Sequence, residues 1–274
     1  MTLKATRAIF VQTFKETIRS KWLIMFAAVF FLLAFNLPLA ALVALDFLPV
    51  NYSSQFLSTI ITVSFPLIPL LSLPLGSTSI VEERESGLLQ YILAAPVSRN
   101  QFLFARLAGL FVATTATITL GFGAASLIAF KFAFNVFTIS FVVFASCVLN
   151  AAMLGIALLV SVVSKRKATA LGAGIFIWFI FSVISDSALL APIFSMAGRV
   201  EVVLPFILLN PVESARLLVL SQSVYSFVDL GASGMAMNYT FGSSAGTVLL
   251  ITMLLWIAIT LTAAFILFIR QDVR

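Results

Sequence analysis

The chain has 274 residues, of which 62% are hydrophobic and only 9% charged, with a mean hydropathy of +1.17. A soluble domain carries roughly 25% charged residues, so this composition excludes one and describes an integral membrane protein. The net charge of +6 goes with basic loops on one side of a bilayer and not with nucleic acid.

Residues 1–21 precede the first apolar run. Leu3, Phe10, Val11, Phe14 and Ile18 fall on one arc at helical spacing, and Lys4, Gln12, Lys15, Glu16 and Arg19 cover the other side. This is the pattern of an interfacial helix lying on a membrane surface, with Arg7 snorkelling out of the apolar arc.

A helix needs about 20 apolar residues to cross roughly 30 Å of hydrocarbon. Six runs qualify: Trp22 to Leu45, Phe56 to Ile80, Leu107 to Phe130, Phe137 to Val163, Ala168 to Leu190 and Val248 to Ile269. They are continuous rather than alternating, which selects helices over a closed barrel. The first is too long and too late in the chain for the core of a cleaved signal. The expected fold is therefore all-α, one membrane domain over 1–274 with six transmembrane helices.

With six spans both termini share a side, and of the 16 Lys and Arg only Lys131, Arg199 and Arg216 fall on the other. Basic residues mark the cytoplasmic face, so both termini are expected there.

Between the second and third spans lies a hydrophilic island, Glu82 to Arg99, reading EERESGLLQYILAAPVSR. Carboxylates favour the positive end of a helix dipole and proline ends a helix. Glu82, Glu83 and Glu85 are thus expected to open a short amphipathic helix, exposed to the cytoplasm, that Pro96 stops. Pro66, Pro69 and Pro74 bend the span that leads into it.

Inside the spans, Asn36, Asn150 and Asp186 are costly in lipid unless they face a partner helix, where an interhelical hydrogen bond is the favoured role. Cys147 is the single cysteine and there is no histidine, which excludes an internal disulfide, HExxH zinc chemistry and histidine-based triads within this chain. No G-x-x-x-x-G-K-[ST] loop occurs, so any ATP used must be bound by another subunit.

The outer connection, 191–247, is too long for an idle loop. Leu204 to Leu209 is too short to span. Asn210-Pro211, Glu213 and Arg216 forbid its extension into a seventh span, which leaves a re-entrant or interfacial helix, with Asn210 as cap and Pro211 in the first turn. Gly231 to Gly246 holds four glycines and is expected to be flexible.

The island resembles the loop of type 2 ABC transporter permeases, where E-x-E-x-G-x-L, an apolar run and P-(V/L)-x-R come after the second span. Glu83, Glu85, Gly87, Leu89, Pro96, Val97 and Arg99 match, and Arg106 fills the place of a basic residue common in the approach to the third span. The basic turn Ser164 to Lys167, the Leu204 to Pro211 segment and Arg216-Leu217 resemble the NosY-like subgroup.

The resemblance implies that 82–99 is a coupling helix, with Glu82, Glu83, Arg84, Glu85, Gly87, Leu89, Pro96 and Arg99 docking an ATPase subunit. It implies that Asn210, Pro211, Glu213 and Arg216 shape an outer gate. The implied partners are a pair of NosF-like ATPases carrying the ATP and Mg, a second copy of the chain and a NosD-like extracytoplasmic protein. No cofactor, metal or catalytic residue is expected in this chain. Two functions fit: a transport subunit passing a small species outward, or a non-conducting transmitter that reshapes an external assembly protein.

Overall fold

The computed structural model describes residues 2–44, 61–94, 97–129, 136–184, 200–222 and 231–271, and all regular structure among them is helical. Asp46, Pro96, Lys131, Asp186, Arg199 and Arg274 lie outside the described residues.

Helix α1, Thr2–Arg19, and helix α2, Lys21–Ala44, meet at Ser20, whose Oγ accepts the Leu23 N–H at 3.1 Å and so caps the new helix. The second span is not one continuous helix. It is helical at 61–64, interrupted at Phe65-Pro66, and resumes as α3, Leu67–Thr78. Pro74 removes the N–H that would bond the Leu70 carbonyl four residues back. The Trp22 indole donates to that carbonyl instead, at 3.3 Å, and Trp178 donates to the Pro66 carbonyl at 2.8 Å.

The island forms two helices rather than one: α4, Val81–Glu85, and α5, Leu88–Ala94. Between them Gly87 sits at φ +76°, a conformation that costs other residues about 1–2 kcal/mol. The acids therefore belong to the helix that continues the second span and do not open the apolar one. The sequence EERES carries no marker of that break other than Gly87 itself.

The third span, α6, runs Arg99–Ala129 and starts eight residues before the apolar run does. Ser98 Oγ accepts the Gln101 N–H and Gln101 Oε1 accepts the Ser98 N–H, each at 3.2 Å. This reciprocal pair is a capping box, readable in the sequence as S-x-x-Q.

Helix α7, Val136–Val163, is the central post, packed against α3, α6 and the last helix. Helix α8, Lys167–Phe179, ends in a π-helical turn, Ile180–Ile184, and packs on α3. Among the described residues of 191–247 lie α9, Val200–Leu209, α10, Pro211–Leu220, and α11, Gly231–Phe241. The expected flexible stretch is thus helical over α11. Burial of Ala236 and Met237, with α11 packed on α9, outweighs the weak helical preference of its glycines. A short 3₁₀ turn, Gly242–Ser244, leads into α12, Ala245–Arg270.

Among the described residues, four helical stretches are long and apolar enough to cross a membrane: Ile61–Glu85, Arg99–Gly123, Val136–Val163 and Ser233–Arg270. In lipid, helices associate by close packing and interhelical polar contacts rather than by the hydrophobic effect. Asn150 supplies such a contact: wholly buried on α7, it accepts from Ser72 Oγ of α3 at 2.6 Å and donates to Thr114 and Thr115 of α6 at 2.9 and 3.0 Å. Asn36 instead bonds within its own helix, to the Leu32 carbonyl, on an exposed face.

Candidate functional site: a charged elbow wired to four helix ends

The elbow α4–α5 stands where α1, α6, α7, α8 and α12 come together; its own charges reach α6, α7, α8 and α12, and Arg106 of α6 links it to α1. Glu83 is 9% exposed and lies 3.0 Å from Arg106 of α6. The same guanidinium reaches Glu16 of α1 at 3.3 Å, Thr13 Oγ1 at 3.2 Å and the Ser79 carbonyl at 2.8 Å. One cation thus ties the surface helix, the third span and the end of the second.

Close packing holds α1 in place for this. A methyl group on Gly109 of α6 would lie 2.8 Å from Thr13 Cβ, so only glycine permits the approach. The buried side of α1 is marked by Thr13 and Thr17, whereas Ile18 of the expected apolar arc remains exposed.

Arg84 donates to the Val162 and Ser164 carbonyls, both at 2.9 Å, and to Gln271 Oε1 at 2.8 Å. Arg99 donates to the Ile269 and Gln271 carbonyls at 2.9 and 2.6 Å. Glu85 accepts the Lys167 backbone N–H at 2.8 Å, and Glu82 meets Lys167 Nζ at 2.6 Å. Two cations sit at the carboxyl ends of α7 and α12 and an anion at the amino end of α8, each matching the sign of the local dipole. Ser161 Oγ accepts the N–H groups of Ile80 and Val81 at 2.9 and 3.1 Å, which have no partner at the start of α4.

Leu89 is buried with Ile80, Phe102, Leu103, Val162 and Phe268, so α5 lies down on the bundle. Its other side is open: Leu88 is 54% and Tyr91 80% exposed, with Gln90 between them. Beside it Glu82, Glu85 and Ser86 line a shallow groove with Lys167, Ala168 and Leu171.

The expected docking residues therefore divide. Glu83, Arg84, Leu89 and Arg99 turn inward and bind the bundle. Glu82 and Glu85 stay exposed while touching Lys167, Gly87 makes the turn, and Pro96 lies outside the described residues. Sequence reading did not separate Leu88 and Tyr91 from the apolar run, nor single out Thr13, Ser161 and Gln271. Helical spacing within so short a segment gives no face until the fold supplies one.

At the far end of the bundle, Asn210 caps α10: its side chain accepts the Val212 N–H at 2.9 Å and donates to the Phe181 carbonyl in the π-helical turn. Pro211 occupies the first turn, as expected. Glu213 is buried and pairs with Arg216 at 2.8 Å. Capping takes the Val212 N–H away from the Leu208 carbonyl, and the Trp256 indole donates there at 3.4 Å. Helix α10 is packed against α7 and α12, with most of its side chains buried between them.

No group of three or more His, Cys, Asp or Glu that could hold a metal occurs among the described residues. Comparison with known proteins gives a family match and two relatives. A family described as ABC-2 family transporter protein matches residues 7–273. A protein of Stutzerimonas stutzeri described as "Probable ABC transporter permease protein NosY" is 28% identical over 269 residues, covering 93% of this chain and 95% of that protein. One of the same description from Pseudomonas aeruginosa is 28% identical over 276 residues, covering 94% and 95%.

Proposed function

This chain belongs to the ABC-2 family of transporter proteins, and we propose that within such a transporter the elbow α4–α5 is its coupling element. The chain is a NosY-like, multi-pass membrane permease subunit without catalytic activity of its own, and permeases of this family work with ATPase subunits. The finer arrangement is part of the proposal: six spans, both termini cytoplasmic, a pair of chains, and a NosF-like ATPase seated on each elbow. A NosD-like protein on the outer side is the further partner this reading allows.

The observation that carries the proposal is the wiring of the elbow. A segment whose own charges are bonded to four helices, α6, α7, α8 and α12, and through Arg106 to α1, is displaced only with strain on all of them. Leu88, Gln90 and Tyr91 offer a small exposed contact face, while Glu83, Arg84, Leu89 and Arg99 pass its displacement inward. Motion then runs along the proline-interrupted second span into α7 and α8, which meet α10 at the proposed gate around Asn210, Pro211, Glu213 and Arg216. The cargo is a small species handed outward.

The test is a cross-linker placed at Tyr91→Cys in native membranes. Capture of an ATPase subunit supports the reading; efficient capture from Tyr239→Cys on the outer helix α11, and none from Tyr91→Cys, overturns both docking and orientation.

A further inference from the structure

Lys4, Arg7, Lys15, Arg19 and Lys21 are all exposed on or beside α1, and none forms an ion pair among the described residues. The one acid of this helix, Glu16, is turned to Arg106. At 100° per residue Lys4, Lys15 and Arg19 share an arc opposite buried Thr13 and Thr17. The neighbouring helix α2 fixes the height of this face. Only Ser20 separates α1 from α2, where exposed Ile24 and Met25 on an apolar helix belong in hydrocarbon. Arg19 and Lys21 therefore stand at the level of lipid headgroups.

We propose that the basic flank of α1 binds anionic phospholipid headgroups, and that Glu16 and Arg106 transmit this binding to the elbow. Charge complementarity selects the occupant, since clustered Lys and Arg beside a span attract anionic lipid. The geometry supplies the transmission: a headgroup that holds α1 still also holds Glu16, and Glu16 and Glu83 share one guanidinium. Anionic lipid would thereby set how freely the elbow swings, a regulation that rests on the coupling role proposed above.

The experiment uses the full chain alone in nanodiscs of phosphatidylcholine, with or without 30% phosphatidylglycerol, and reads amide hydrogen exchange. Because no ATPase is present, failure here is distinct from failure of the docking proposal. Exchange in α1 is expected to slow at least fivefold with phosphatidylglycerol, and the variant Lys4→Gln/Lys15→Gln/Arg19→Gln to lose that effect. Exchange in α5 is expected to slow in parallel. In Glu16→Gln, at a half-exposed site the fold tolerates, α1 keeps its response and α5 loses its own. Equal α1 exchange in the two lipids overturns the binding. So does the same slowing produced by inorganic phosphate in phosphatidylcholine. A Glu16→Gln chain whose α5 still responds overturns the transmission.

Discussion

Arg106 and Glu83 meet at 3.0 Å in a buried site through one oxygen only: Glu83 Oε2 and Arg106 Nε have no hydrogen-bond partner. A guanidinium reserved for one carboxylate would meet it with two parallel bonds. This one is divided among Glu83, Glu16, Thr13 and the Ser79 carbonyl, the arrangement of a junction rather than a simple pair.

Breaking a buried ion pair from one side strands a charge, at about 3–5 kcal/mol, whereas replacing both partners is often close to neutral. Arg106→Leu strands Glu83 and should lower stability by about that much, Glu83→Leu, which leaves Arg106 paired with Glu16, by less, and the double variant by less than the sum. Chemical unfolding in detergent with a double-mutant cycle measures this; strict additivity would show that the two groups do not interact.

The division of the island gives a second expectation. Leu88→Asp and Tyr91→Asp should abolish co-purification of the ATPase while leaving the thermal stability of the isolated subunit within about 0.5 kcal/mol, as for substitutions at open surface sites. Glu83→Lys should fail differently, by losing stability before association can be measured. Glu85→Lys should fold, since its carboxylate is exposed. Equal stability of the Glu83→Lys and Glu85→Lys chains would contradict the buried position of Glu83.

The helical class, the membrane character and four of the six expected spans could be read from the chain because lipid demands apolar side chains and backbone groups bonded within the segment. The Asn210 cap was equally readable, since Asn-Pro before an acidic turn has one local meaning. What could not be read were choices made by packing. Nothing in EERE distinguishes Glu83, which faces Arg106, from Glu82 and Glu85, which face Lys167, and the break at Gly87 looks like any glycine. The helix Gly231–Phe241 defied its composition because two buried side chains, Ala236 and Met237, hold it.

Asn150 should act as a clamp of the bundle. Interhelical hydrogen bonds in membranes contribute about 0.6 kcal/mol on average and up to about 1.7 kcal/mol. Asn150→Leu breaks three of them and crowds Ser72, so a loss of about 1–3 kcal/mol is expected from steric-trap or denaturant unfolding. A stability gain would mean that the polar group is retained for something other than packing.

Removing the cap at the end of the bundle away from the elbow should be milder and local. Asn210→Ala forfeits the bond to the Val212 N–H and the one to the Phe181 carbonyl, at about 0.5–2 kcal/mol for an N-cap. Hydrogen exchange should rise in the first turn of α10 and leave the elbow unchanged at equilibrium. Asn210→Asp should restore the cap but not the donated bond, and so recover part of the protection. If Asn210→Asp were as exposed as Asn210→Ala, the capping role would be wrong.

Gly87 offers the cleanest test of the elbow's shape. A Cβ added there meets nothing within 4 Å, so Gly87→Ala introduces no clash and its whole effect comes from the backbone at φ +76°. Left-handed geometry costs a residue with a Cβ about 1–2 kcal/mol, which Asn tolerates better than Ala or Val. The chain can relieve the strain only by swinging α5 off the bundle, which lifts Leu89 out of its contact with Phe102 and Phe268. The expected order of coupled ATPase activity is therefore Gly, Asn, Ala, Val, with binding of the ATPase falling less than the coupling between hydrolysis and transport. Solvent labelling of a cysteine at position 89 should rise in the same order. Activity that is indifferent to this series would mean that the sharp turn is not needed, and that α4 and α5 do not move as one piece.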